Sequence, residues 1–61
     1  MNKYLITVIV PIVEFEYDIY IPNNKKIEEV RMIDRDTGNE FENNMYVKDS
    51  GIKNGSKIII I

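Results

Sequence analysis

Alternation of apolar and polar positions organises the first third of the chain. In residues 3–10, Tyr4, Ile6, Val8 and Val10 fall on one face of an extended strand, and Lys3, Leu5, Thr7 and Ile9 fall on the other. The first set is the better core candidate. Residues 14–21 alternate more cleanly, with Phe15, Tyr17, Ile19 and Ile21 directed inward and Glu14, Glu16, Asp18 and Tyr20 outward. Pro11 has no amide donor and belongs at a strand end or an irregular edge position. The two segments therefore predict an antiparallel hairpin.

The C-terminal pattern is different. Ile58, Ile59, Ile60 and Ile61 leave neither face of a strand polar, as in strands placed inside a sheet, often beside a parallel neighbour. Asn54-Gly55 supplies the turn that launches this strand, and Ser50-Gly51 precedes the apolar Ile52. Between the hairpin and this end, Pro22-Asn23-Asn24 closes the second strand. Residues 25–36 admit two readings: a short helix with Ile27, Val30 and Ile33 at three-residue spacing, or a turn followed by a strand at 30–35. Asp36-Thr37-Gly38-Asn39 is a turn signal, 40–42 a short extended piece, and Asn43-Asn44 a further break.

Composition strengthens the β assignment. Twelve isoleucines and five valines stand against one leucine and no alanine, so side chains that suit strands dominate and strong helix formers are scarce. At 61 residues the chain makes one domain, residues 1–61, near the lower size at which a fold without disulfide or metal can bury enough surface. The absence of Cys and His removes disulfides, thiol nucleophiles, imidazole bases and the usual soft metal ligands.

The net charge of -2 lacks the basic footprint of a nucleic-acid binder. Residues 5–13, interrupted by Thr7 and Pro11, are too short an apolar stretch to span a bilayer. With only Lys3 before them and no small-residue cleavage site after, they do not make a signal peptide. A cytoplasmic protein is expected, with no cofactor, no small-molecule substrate, no nucleic acid and no membrane insertion.

Several segments resemble a known family. The Ile19-Tyr20-Ile21-Pro22 end of the hairpin, Lys25-Lys26-Ile27, the Asp34-Arg35-Asp36-Thr37-Gly38 run and above all residues 46–61 look like the ubiquitin-like YukD/EsaB proteins, small bacterial proteins associated with type VII secretion loci of Gram-positive bacteria. The resemblance covers both ends of the chain. Its most specific part, a turn followed by Ile52, the Asn-Gly turn and the terminal strand, is shared widely by β-grasp proteins. It implies an α+β, mostly β fold: a β-grasp sheet crossed by a helix.

The middle departs from that family. A β-grasp domain passes from its first hairpin to its third strand through a helix of about three turns, whereas residues 23–29 could span only roughly 10 Å as helix. The helix is therefore expected to be truncated or missing, whether natively or by internal deletion. Its loss would leave the inner face, including Phe15, Tyr17, Ile19 and Ile58, without a lid, a liability for a monomer. Cover by another chain, strand exchange between protomers, or curling into a small barrel would each answer it, and a homodimer or higher oligomer is the favoured expectation. The plain alternative is a minimal helix at 25–36 and a domain that closes alone.

Candidate chemistry is sparse. Glu14, Glu16 and Asp18 share a face at two-residue spacing, which could suggest metal ligation or acid–base work. Alternating charges on a solvated strand face are the stronger account, and no nucleophile accompanies them. Asp34, Asp36 and Glu40 lack the spacing of a calcium loop and fit a tight hairpin turn better. Lys53-Asn54-Gly55-Ser56-Lys57 opens a strand, whereas phosphate loops open helices. No catalytic residue emerges, and an enzyme is not expected.

The apolar positions carry more. If Ile58 and Ile60 face inward with Met32 and Ile52, then Ile59 and Ile61 face outward beside Ile33 and, in some registers, Leu5 and Ile9. The resemblance implies that this outer sheet face binds partners, as the corresponding face does in ubiquitin-like folds. Leu5, Ile33, Ile59 and Ile61, rimmed by Lys57, Arg31 and Arg35, form the candidate protein-interaction patch, serving a protein partner or the chain itself. Conjugation or sulfur carriage, which needs a flexible Gly-Gly tail, is not expected because the sequence stops within the strand at Ile61. Two functions follow as expectations: a non-conjugated interaction module, accessory to or regulating type VII secretion, or a structural, self-associating β protein.

Overall fold

Backbone pairing assembles the apolar segments into one mixed sheet. The computed structural model describes residues 2–61, with strands β1 (Lys3–Val10), β2 (Phe15–Pro22), β3 (Met32–Asp34) and β4 (Lys57–Ile60). The sheet order is β2-β1-β4-β3. β1 and β2 are antiparallel, β1 and β4 parallel, and β3 and β4 antiparallel. The isoleucine run 58–60 of β4 thus lies inside the sheet beside a parallel neighbour, as its pattern predicts.

The hairpin behaves as its alternation requires. Ile6 pairs with Ile19, Val8 with Tyr17 and Val10 with Phe15, which puts both inward sets on one face. Pro11 opens a 3-10 turn at Pro11–Val13, closed by the Glu14 amide donating to the Pro11 carbonyl at 3.0 Å. Glu14 then sits at φ 52, a left-handed conformation that L-residues adopt at a cost.

The crossover resolves against a helix. Residues 23–27 leave β2 through a turn and lie antiparallel to residues 44–48, through a bridge between Lys26 and Tyr46 that leads into a 3-10 turn at Val47–Asp49. The Ile27 amide donates to the Met45 carbonyl (3.0 Å), and the amides of Asn44, Val47 and Lys48 donate to the carbonyls of Ile27, Lys25 and Asn23 (each 2.8 Å). No turn of helix, truncated or otherwise, forms in 25–36; the strand there is confined to Met32–Asp34. The three-residue spacing of Ile27, Val30 and Ile33 misleads because only Ile27 is buried, while Val30 is exposed.

This paired loop supplies part of the missing cover. Ile27 joins Val47 and Ile52 in a buried cluster with Ile6, Val8 and Ile58. Ile58 is therefore fully buried, contrary to the expectation that it would lack a lid. The expectation holds at the other end of the same face, where Phe15 is 56% exposed, Tyr17 41% and Ile19 36%. A two-segment loop is narrower than a helix of three turns: the cluster is filled out by β1, β4 and the loops, and β2 supplies only Ile21 at its border.

Candidate functional site

The outer face of the sheet is organised in rows across the strands. Ile9 pairs with Ile59, and Ile59 with Ile33, so three isoleucines from β1, β4 and β3 form one continuous apolar row. All three are half-buried. Ile61 lies two positions beyond Ile59 on the same side by alternation; its amide donates to the Arg31 carbonyl at 3.2 Å, and the residue is 60% exposed. Ile33, Ile59 and Ile61 thus come together, with Ile9 completing them.

Leu5 is set apart. Between it and the isoleucine row runs a polar row made by Asp18, Thr7 and Lys57, in which Thr7 Oγ1 donates to Asp18 Oδ1 at 2.7 Å. Leu5, 40% exposed, instead pairs with Tyr20 and borders a depression of about 320 Å³ with Asn54 and Gly55. The Lys3 ammonium caps the Tyr20 ring at 4.9 Å from its centroid.

The basic rim is partly neutralised. Arg31 makes a bidentate pair with Glu40, Nη2 to Oε1 at 2.8 Å and Nε to Oε2 at 3.1 Å. That hydrogen bonding, reinforced by the opposite charge, holds the Glu40 carboxyl below its ordinary range and raises the Arg31 guanidinium. Arg35 lies near Asp36, with Nε 3.8 Å from Oδ1. The patch is thus an isoleucine row bordered by locally balanced charge, not a strongly cationic surface.

The carboxylates near Gly38 have structural roles that fit a hairpin turn. Asp34 Oδ1 accepts the amides of Asp36 (2.8 Å) and Thr37 (3.2 Å), and Gly38 adopts φ 77 as its amide donates to the Asp34 carbonyl. The Lys53–Lys57 turn has a role beyond positive φ. Asn54 Oδ1 accepts the Leu5 amide at 2.8 Å, tying the launch of β4 to β1.

Sequence reasoning missed one exposed apolar feature and one buried one. Ile12 and Val13, at the tip of the hairpin, are exposed; they read as the end of an apolar stretch and gave no signal of their own. Ile27 was readable as a lid residue, because a lone apolar position between Lys25-Lys26 and Glu28-Glu29 marks an anchor in a charged loop. No protein-family model, curated protein or solved structure matches this chain. No described helix is long and apolar enough to cross a membrane.

Proposed function

We propose that the chain is a ubiquitin-like protein-interaction module without catalytic activity, related in kind to the YukD/EsaB proteins and serving as a cytoplasmic accessory or regulator of type VII secretion. The mixed sheet supports the β-grasp part of this reading: β1 and β4 are parallel at its centre, and the hairpin strand β2 flanks β1. The observation that carries the interaction role is the row Ile9–Ile59–Ile33 with the exposed Ile61 beyond it. Such a row, framed by polar groups, suits the apolar centre and polar rim of a recognition surface.

Ile61→Asp tests it, because the residue lies outside the buried cluster and its replacement spares the core. Wild type should capture a component of the secretion machinery from an extract of a bacterium that carries it, and the folded variant should not. Equal capture by both would overturn the assignment of the patch. A second reading, self-association, is favoured by Phe15, Tyr17 and Ile19, apolar and exposed on the core-facing side of an edge strand.

A further inference from the structure

We propose that β2 pairs antiparallel with β2 of a second copy, about a two-fold axis through Ile19, joining two four-stranded sheets into one. The proposal rests on the self-association reading and specifies its register; it is independent of the outer isoleucine row.

The free edge is the first observation. β2 ends the sheet, and among the described residues nothing pairs with its outer side. The direction of its polar groups can be derived. In β1, the amides of Leu5 and Thr7 bond toward the β4 side, to Asn54 Oδ1 and the Ser56 carbonyl, and the Leu5 carbonyl accepts from Gly55. Their hairpin partners Tyr20 and Asp18 are thus in non-hydrogen-bonded pairs, with N–H and C=O pointing away from β1. The Asn23 amide bonding to the Asn2 carbonyl confirms the phase, since even positions of β1 and its lead-in bond across the hairpin. Pro22 falls in the outward phase too, so its missing donor costs the hairpin nothing.

A regular ladder joins outward-pointing positions to each other, which limits the registers. A two-fold axis through Tyr17 sets Glu16 opposite Asp18 twice, and one through Asp18 sets the two Asp18 carboxylates face to face. Both bring like charges directly opposite. An axis through Tyr20 shortens the overlap and spends Asp18 on Pro22, which returns no donor.

The axis through Ile19 sets no like charges opposite each other, keeps the longer overlap of residues 16–22, and leaves the donor-less Pro22 only at the ends of the ladder, opposite Glu16. Asp18 and Tyr20 of each copy exchange N–H···O bonds with Tyr20 and Asp18 of the other, and the Glu16 amide reaches the opposing Pro22 carbonyl. Lys3, which caps Tyr20 and pairs with Pro22, meets the incoming Asp18 and Glu16, so the acidic face of one β2 lies against the basic residue of the other copy. On the inner face, Ile19 meets Ile19 and Tyr17 meets Ile21, so exposed apolar side chains of the two strands pack side by side. Long apolar edge strands are usually protected by charge, proline or a bulge. Here the charges lie where a second copy of this register can use them.

The chain contains no cysteine, so single cysteines report the register directly. In a non-hydrogen-bonded antiparallel pair the Cα atoms are about 4.5 Å apart, within the span of a disulfide. Ile19→Cys should form an interchain disulfide on mild oxidation, while Tyr17→Cys and Phe15→Cys should not. Wild type should sediment as a dimer, and Ile19→Lys, with an amide spectrum that shows it folded, as a monomer. Cross-linking through Tyr17→Cys instead, in a dimeric wild type, would overturn this register and leave self-association standing. A folded wild-type monomer across a dilution series would overturn both, as would a monomer whose β2 amides become protected only by an added extended peptide, which would give the edge to a foreign strand.

Discussion

Leu5 and Asn54 are joined across most of the chain's length, the Asn54 Oδ1 accepting the Leu5 amide at 2.8 Å while the neighbouring Gly55 amide donates to the Leu5 carbonyl, also at 2.8 Å. The Asn-Gly turn is thereby fastened to β1 one row before Thr7 and Lys57 begin the parallel ladder. Asn54→Ala should cost about 0.5–1.5 kcal/mol in urea unfolding. Asn54→Asp keeps an acceptor oxygen and should recover most of that loss; equal destabilisation by the two variants would show that the side-chain oxygen is not what matters.

Ile27 should be the most sensitive position of the crossover. It closes the cluster over Ile6, Val8 and Ile58 and is hydrogen-bonded on both sides to residues 44–45. Ile27→Ala should destabilise by about 2–5 kcal/mol and Ile27→Val by about 0.5–1.5 kcal/mol. Val30, exposed three residues later, is the control, and its replacement by alanine should cost less than Ile27→Val. Chemical denaturation of the three variants decides it.

Glu14 occupies the left-handed region at φ 52 with no glycine to relieve it. Glu14→Gly should raise stability by about 0.5–1 kcal/mol, the left-handed penalty less the entropy of the added glycine. A loss of stability would mean that the Glu14 side chain contributes more to the hairpin than its conformation costs.

The Arg31–Glu40 pair predicts a pH dependence with a definite sign. Glu40 is held below its ordinary range mainly by the hydrogen bond from Arg31, so its contribution is present above the unfolded-state pKa and lost as pH falls through the lowered folded value. Because both groups are exposed, added salt should weaken the effect. A carboxyl-detected NMR titration should place Glu40 below an ordinary glutamate, and Arg31→Gln should return it to the ordinary range.

The parts of the fold that were legible in the sequence are those where a single face decides burial. Tyr4, Ile6, Val8 and Val10 are the inward set of β1, and β4, apolar on both faces, is internal. The crossover was not legible, since periodicity cannot distinguish a helix from a loop that buries one residue, and the pairing of residues 23–27 with 44–48 is a long-range hydrogen-bonding choice. The outer patch was partly legible. Alternation places Ile33, Ile59 and Ile61 together, but the separation of Leu5 depends on the parallel register that sets Thr7 beside Lys57. Phe15, Tyr17 and Ile19 are exposed because the loop that carries Ile27 does not reach over them, whereas the cover over Ile58 required knowing where Ile27 would lie.

The most direct measurement is a paired capture experiment with two folded variants, Ile61→Asp on the outer face and Tyr17→Lys on the inner side of β2. If the proposed isoleucine row is the recognition surface, wild type and Tyr17→Lys should both capture a secretion component, and Ile61→Asp should not. Retention by Ile61→Asp together with loss by Tyr17→Lys would contradict the account and place recognition on the hairpin edge.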